Sequence, residues 1–244
     1  MGTVNKLLCS SKTTEIDTVS GRIIAEYEKS DWSADTHLTG IFDKLKPASE
    51  ELTKAINRIK AESELEEKDE LRDIKIRAIY YLILGLLHHP DETVSTAAQK
   101  VDDVFEHYGV DITEESYATE SSLVESLLED LEDTDLQTAI EAVPVLSQAI
   151  DGLKTAQAAF EEAKVIYEEE KAEERTEENA TTIKKEAASI INEQLVTYLR
   201  AMIQVDETTY GEFTRIVAGI IEDNNTAVKK RRKGSSTAEE VSES

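Results

Sequence analysis

The sequence predicts an all-α fold: an eight-helix antiparallel assembly, built as two pseudo-repeated four-helix units with long helical hairpins. Three observations carry this. Gly (9) and Pro (3) are scarce among 244 residues, whereas sandwiches and barrels need turn residues every ~8–12 positions. Apolar residues recur at three- and four-residue steps along most of the chain, which is the period of a half-buried helix. Short polar breaks carrying caps separate the stripes, and short connections favour antiparallel neighbours.

The first stripe, Ile16, Val19, Ile23 and Tyr27, gives a helix over about 14–29. Ser30 to Ser33 ends it, and Trp32 is placed to pack at that corner. The second carries Leu38, Ile41, Phe42, Leu45, Leu52, Ile56 and Ile59, with Pro47 inside it. Proline lacks the N–H and is expected to kink or interrupt the helix there. Ser63 and Glu66 read as a capping box, so a hairpin turn is expected near Ala61–Glu64. The third helix, about 65–87, ends in the apolar run Ile79–Leu87. That run covers every side of the helix, so the segment is expected to be surrounded by other helices.

Pro90 suits the first turn of a fourth helix, and Asp91 and Glu92 suit its positive end. This helix carries Val94, Ala97, Ala98, Val101, Val104 and Phe105, with Gly109 as its terminator. A fifth runs over about 114–131, and Asp133-Thr134-Asp135 follows it. A very long helical stretch then continues to about Ala172, with Pro144 marking a kink or a true first turn. After a charged junction come a seventh helix, Ile183 to Met202, and an eighth, opened by Asp206-Glu207 and closed by Asn224-Asn225.

The halves resemble each other. Ile41-Phe42-Asp43-Lys44-Leu45-Lys46 matches Ala149-Ile150-Asp151-Gly152-Leu153-Lys154, and Asp91-Glu92-Thr93 matches Asp206-Glu207-Thr208. Residues 14–109 and 110–225 are therefore expected to be repeats. They lie between a flexible N-terminus (1–13) and a disordered polar tail (226–244) with a basic cluster, Lys229 to Lys233.

Composition restricts function. The chain has 27 basic and 52 acidic residues, a net charge of −25. An anionic body repels phosphate backbones, and nucleic-acid affinity rests largely on phosphate neutralisation. The Lys229–Lys233 cluster reads first as a solubilising or intramolecularly screened tail; its alternatives are contact with RNA, anionic lipid or a nuclear-import receptor. No apolar run reaches the ~18 residues of a membrane span, so no membrane partner is expected. The N-terminus has no signal-peptide pattern, and a cytoplasmic location is expected. Acidic residues concentrate over Glu62–Glu70 and Glu161–Glu178, the expected hairpin tips, where they read first as solvated helix ends and, as the alternative, as a docking surface for a basic partner.

No catalytic constellation is legible. A di-metal bundle needs Glu-x-x-His on two helices, and the residues three before His37, His88, His89 and His107 are Ala34, Gly85, Leu86 and Val104. Asp103 with His107, and His88 and His89 with Asp91, are generic pairs that read as surface groups. Cys9, the single cysteine, has no nearby His to activate it. No catalytic, cofactor-binding or metal-binding residue is therefore expected, and no cofactor.

The stretch Arg72-Asp73, Leu87-His88-His89-Pro90-Asp91, Ala97-Ala98, Val104-Phe105, Tyr108-Gly109 and Tyr117-x-x-Glu120 resembles an uncharacterised all-helical family of Bacteroidetes, a domain of unknown function. The resemblance extends over most of residues 10–225 and rests on packing and turn signals. It implies a cytoplasmic bacterial protein with no assigned functional residues. Pro47 and the basic tail depart from it.

The functional expectation is a non-enzymatic helical scaffold or protein-binding adaptor, with a homo-oligomer as one form. The alternatives are a ligand-binding or enzymatic bundle with a site between the halves, and a nucleic-acid-linked protein acting through the basic tail.

Overall fold

A computed structural model of the chain describes residues 4–173 and 180–242. Among these residues the chain is all helical, without a strand. The helices are α1 (Thr13–Tyr27), α2 (Thr36–Leu86), α3 (Glu92–Phe105), α4 (Tyr117–Asp130), α5 (Thr134–Glu141), α6 (Pro144–Glu173), α7 (Ala180–Ser189), α8 (Val196–Val205) and α9 (Glu207–Ser242). A 3-10 turn, Val110–Glu114, precedes α4, and a π turn, Ile190–Leu195, joins α7 to α8.

The chain forms two compact units. Unit 1 is Met1–Arg58 with Ala172–Ser244, and unit 2 is Ile59–Lys171. These divisions fall inside α2 and α6, not at the 109/110 boundary expected between repeats.

Several expected breaks are absent. α2 continues through Ala61–Glu64 without a hairpin turn and also passes Pro47. Residues 59–70 contain no Gly or Pro and are dominated by strong helix formers. Ala61 and Leu65 are buried there, which rewards continuation of the helix. Glu62–Glu70 is therefore mid-helix, and part of the second acidic stretch, 174–179, lies outside the described residues. Pro144 does open a helix, α6, and the expected long stretch is broken just before it: Asp133 caps a separate short α5 that ends at Glu141, since the residue preceding a proline is disfavoured in helical conformation. Pro90 lies just before α3 rather than in its first turn. Asp91 is the N-cap, its carboxylate accepting the Thr93 N–H at 2.8 Å.

The end of unit 1 also departs from expectation. Asn224 and Asn225 do not close a helix, since α9 passes through them. They are clamps. Asn225 Oδ1 accepts the Leu8 N–H, its Nδ2 donates to Lys6 O, and Asn224 Nδ2 donates to Ser11 Oγ. In the π turn, Asn192 brackets Leu7, accepting its N–H at 2.7 Å and donating to its carbonyl at 3.2 Å. Arg200 donates to Val4 O. Residues 4–12, expected to be flexible, thus lie against α8 and α9 with Val4 and Leu7 buried.

The unit 1 core joins α1, the first part of α2, α7, α8 and α9 through Ile16, Ile23, Leu38, Leu45, Leu52, Ile191, Leu199, Val217 and Ile221. Asp35 ties its corner together. Its Oδ1 caps α2 by accepting the His37 and Leu38 N–H groups, and its Oδ2 accepts the hydroxyls of Tyr198 and Tyr210, each at 2.6 Å. Burial alone would raise the Asp35 pKa, but these donors hold it below its ordinary value. Trp32 packs at this corner beside Tyr210 and Phe213 and donates to Tyr27 O.

In unit 2 the core joins the second part of α2 to α3, α4, α5 and α6. Ile76, Ile79 and Ile83 meet Val101, Phe105, Val124, Leu127, Leu146 and Leu153. A smaller cluster of Leu65, Phe160 and Ala163 sits beside Tyr167.

Candidate functional site: a buried charged centre in unit 2

Arg72 occupies a position that the apolar stripe of α2 assigns to a hydrophobic residue. The stripe Ile76, Ile79, Ile83 extended back by one turn lands on residue 72. Its guanidinium is wholly enclosed, with 0% exposure. On α4, Glu120 likewise begins the inward stripe continued by Val124, Leu127 and Leu131, and it is 1% exposed. A buried charge survives only when it is paired and hydrogen-bonded.

The pairing is extensive. Arg72 Nη2 lies 2.7 Å from Asp69 Oδ1 and 2.7 Å from Glu120 Oε2. Its Nη1 donates to Ser121 Oγ at 3.0 Å and to Gln157 Oε1 at 3.1 Å. The plane of the guanidinium also meets the face of Phe160, Cζ lying 3.7 Å from the ring centroid, and Tyr117 packs edge-on against the same ring. Arg77 donates to Asp73 Oδ2 at 2.9 Å, one helical turn along α2. α2, α4 and α6 therefore converge on one side chain.

The charges do not cancel. Three carboxylates, Asp69, Asp73 and Glu120, face two guanidiniums. Burial, opposed by Arg72, pushes Glu120 up to about 7, and the like charges of Asp69 and Asp73 add to the rise. Burial likewise raises Asp69 against the pull of Arg72. Burial first, then Asp69, raises the Tyr117 hydroxyl. One oxygen from each of the three carboxylates lies within 4.8 Å of the other two, so among the described residues these three could hold a metal ion.

The residues singled out in the sequence do not converge. His89 Nδ1 accepts the Asp91 N–H at 3.2 Å, a turn contact, while His88 is exposed. Asp103 accepts Gln99 Nε2, and His107 is exposed beyond the end of α3. His37 packs on Tyr198. Cys9 is exposed at the rim of a groove lined by Lys184, Lys185 and Asn192. Lys229, Lys230, Arg232 and Lys233 line an open recess on α9, while Arg231 turns away to pair with Glu15.

Arg72-Asp73 and Tyr117-x-x-Glu120 were legible only as packing signals. The signal for the centre was a charged residue on each of two otherwise apolar inward stripes.

Fold and site together define an all-helical protein that gathers charge at a buried centre. The chain belongs to a family of unknown function, DUF6261, whose model matches residues 62–218. No curated protein and no solved structure matches it. No helix among the described residues is long and apolar enough to cross a membrane.

Proposed function

We propose that the chain is a non-enzymatic cytoplasmic scaffold that binds another protein through the outward face of α2. One observation carries this. The apolar run at the end of α2 is expected to be enclosed on all sides, yet only Ile79 and Ile83 are fully buried. Leu71 (42% exposed), Ile74 (49%), Tyr81 (68%) and Leu84 (39%) stay open to solvent. Leu71, Ile74, Ala78, Tyr81 and Gly85 follow a three–four spacing, which is the seam by which one helix receives another. Contiguous apolar surface of this kind marks interaction sites. The centre at Arg72 lies on the inward side of the same turns and holds α2, α4 and α6 in register beneath the seam.

The experiment is affinity capture from the native cell, comparing the unaltered chain with Ile74→Asp/Tyr81→Asp and with Val145→Asp, a control at an exposed apolar residue on α6. The proposal expects one protein retained by the unaltered chain and the control, and lost from the double variant. Retention by all three contradicts it.

The internal repeat is part of this reading. Buried Leu38, Phe42, Leu45, Ser49, Leu52 and Ala55 on α2 correspond one for one to buried Leu146, Ile150, Leu153, Gln157, Phe160 and Ala163 on α6. Each compact unit draws segments from both halves, because α2 is shared between the units and the second half passes from unit 2 to unit 1 near the end of α6. On this reading residues 14–109 expressed alone fail to fold, and a stable, cooperatively melting fragment contradicts it.

A further inference from the structure

We propose that unit 2 holds one hard divalent cation between Asp69, Asp73 and Glu120. Arg72 occupies Asp69 Oδ1 and Glu120 Oε2, and Arg77 occupies Asp73 Oδ2. Glu120 Oε1 and Asp73 Oδ1 have no hydrogen-bond partner, and both are sealed from solvent. The Glu120 side chain is 2% exposed. A buried polar atom without a partner is destabilising, and more so when charged, so two such oxygens in one cluster mark a missing positive group.

Geometry and charge describe that group. Asp69 and Asp73 are four apart on α2, which places them on one helix face, and Glu120 approaches from α4. Three carboxylates against two guanidiniums leave one negative charge unmatched. The donors are all oxygen, the set that suits Mg²⁺, Ca²⁺ or Mn²⁺ rather than the nitrogen and sulfur sites of zinc or copper. Asp69 and Asp73 keep 23% and 14% of their side chains exposed. That opening gives the ion a route in and room for the waters such ions retain. The rival occupant is a single proton shared between Glu120 and Asp73, whose carboxyl groups lie within hydrogen-bonding reach of each other; it would satisfy both oxygens and leave no stoichiometric site for a metal ion.

The test uses the full chain, stripped with EDTA and titrated with Mn²⁺ at neutral pH while free Mn²⁺ is followed by EPR. The proposal expects one saturable site per chain, with Mg²⁺ or Ca²⁺ competing for it. Glu120→Gln and Asp73→Asn should each weaken it by at least ~tenfold, a loss seen on disturbing even outer-shell groups of metal sites. Asp103→Asn should leave it intact. A second measurement needs no variant: bound Mn²⁺ should broaden the ring NMR signals of Tyr117 and Phe160 before those of Tyr198 and Tyr210. Only diffuse weak binding, shared equally by Glu120→Gln, overturns the proposal. So does even broadening of all four rings.

Discussion

Arg72 Nη2 lies 2.7 Å from Glu120 Oε2, and both side chains are closed to solvent. The contact ties α2 to α4, and through Gln157 and Phe160 it reaches α6. Breaking a buried pair from one side leaves the other charge uncompensated, at a cost of about 3–5 kcal/mol. Arg72→Met should lose that amount in urea unfolding followed by circular dichroism. Arg72→Met/Glu120→Leu should recover a large part of it, since removing both charges abolishes both desolvation penalties. Equal losses from the single and double variants would mean that the pair is not the determinant.

The same burial makes stability depend on pH. Glu120 ordinarily titrates near 4.5 and is raised in the fold to about 7. The folded chain therefore holds the proton more tightly than the unfolded chain does. This contribution is fully present below the unfolded value and is lost as pH rises through about 7, by the linkage of proton binding to folding. Measured in EDTA, stability should fall between pH 5 and pH 8 by on the order of 1–3 kcal/mol. Glu120→Gln should flatten that slope, and an unaltered slope would assign it to other groups.

The unbroken course of α2 makes a sharp prediction at Ser63, which is exposed and mid-helix. Ser63→Pro should destabilise by about 3 kcal/mol, because proline removes a helix bond and clashes with the preceding turn. A hairpin turn at that position would tolerate it. A change in the urea midpoint too small to register would restore the turn.

The N-terminal segment is held by side-chain amides rather than by its own secondary structure. Asn192→Ala removes both bonds to Leu7, at ~1 kcal/mol each. Cleavage within residues 4–11 under limited proteolysis should quicken by roughly tenfold or more, since that loss exceeds the 1.4 kcal/mol per decade. The thermal midpoint should move far less. An unchanged cleavage rate would show that burial of Val4 and Leu7 alone holds the segment.

Helical class and most inward faces were legible in the sequence, because periodicity reports which side of a helix is apolar. Helix starts were legible only to within a residue or two: Asp91 and Asp133 lay at expected breaks, but their role as N-caps was not read. The failures share a cause: a residue type was read locally when its partner is distant. Asn224 and Asn225 carry the composition of a helix end, but their amides serve the N-terminal segment. Ser63 and Glu66 have the spacing of a capping box, yet nothing there stops the helix. Arg72 and Glu120 were visible as residues but not as a pair, because periodicity places each facing inward without naming what it meets. Tyr81 and Leu84 remain exposed because no segment of unit 2 covers them, a fact about the fold as a whole.

Docking of a partner on the outward face of α2 can be read by site-specific photo-crosslinking in the native cell. With benzoylphenylalanine replacing Tyr81, one discrete protein adduct is expected, absent when the same group replaces exposed Asp103 on α3. Identical adduct patterns at both positions, or none at Tyr81, would contradict it.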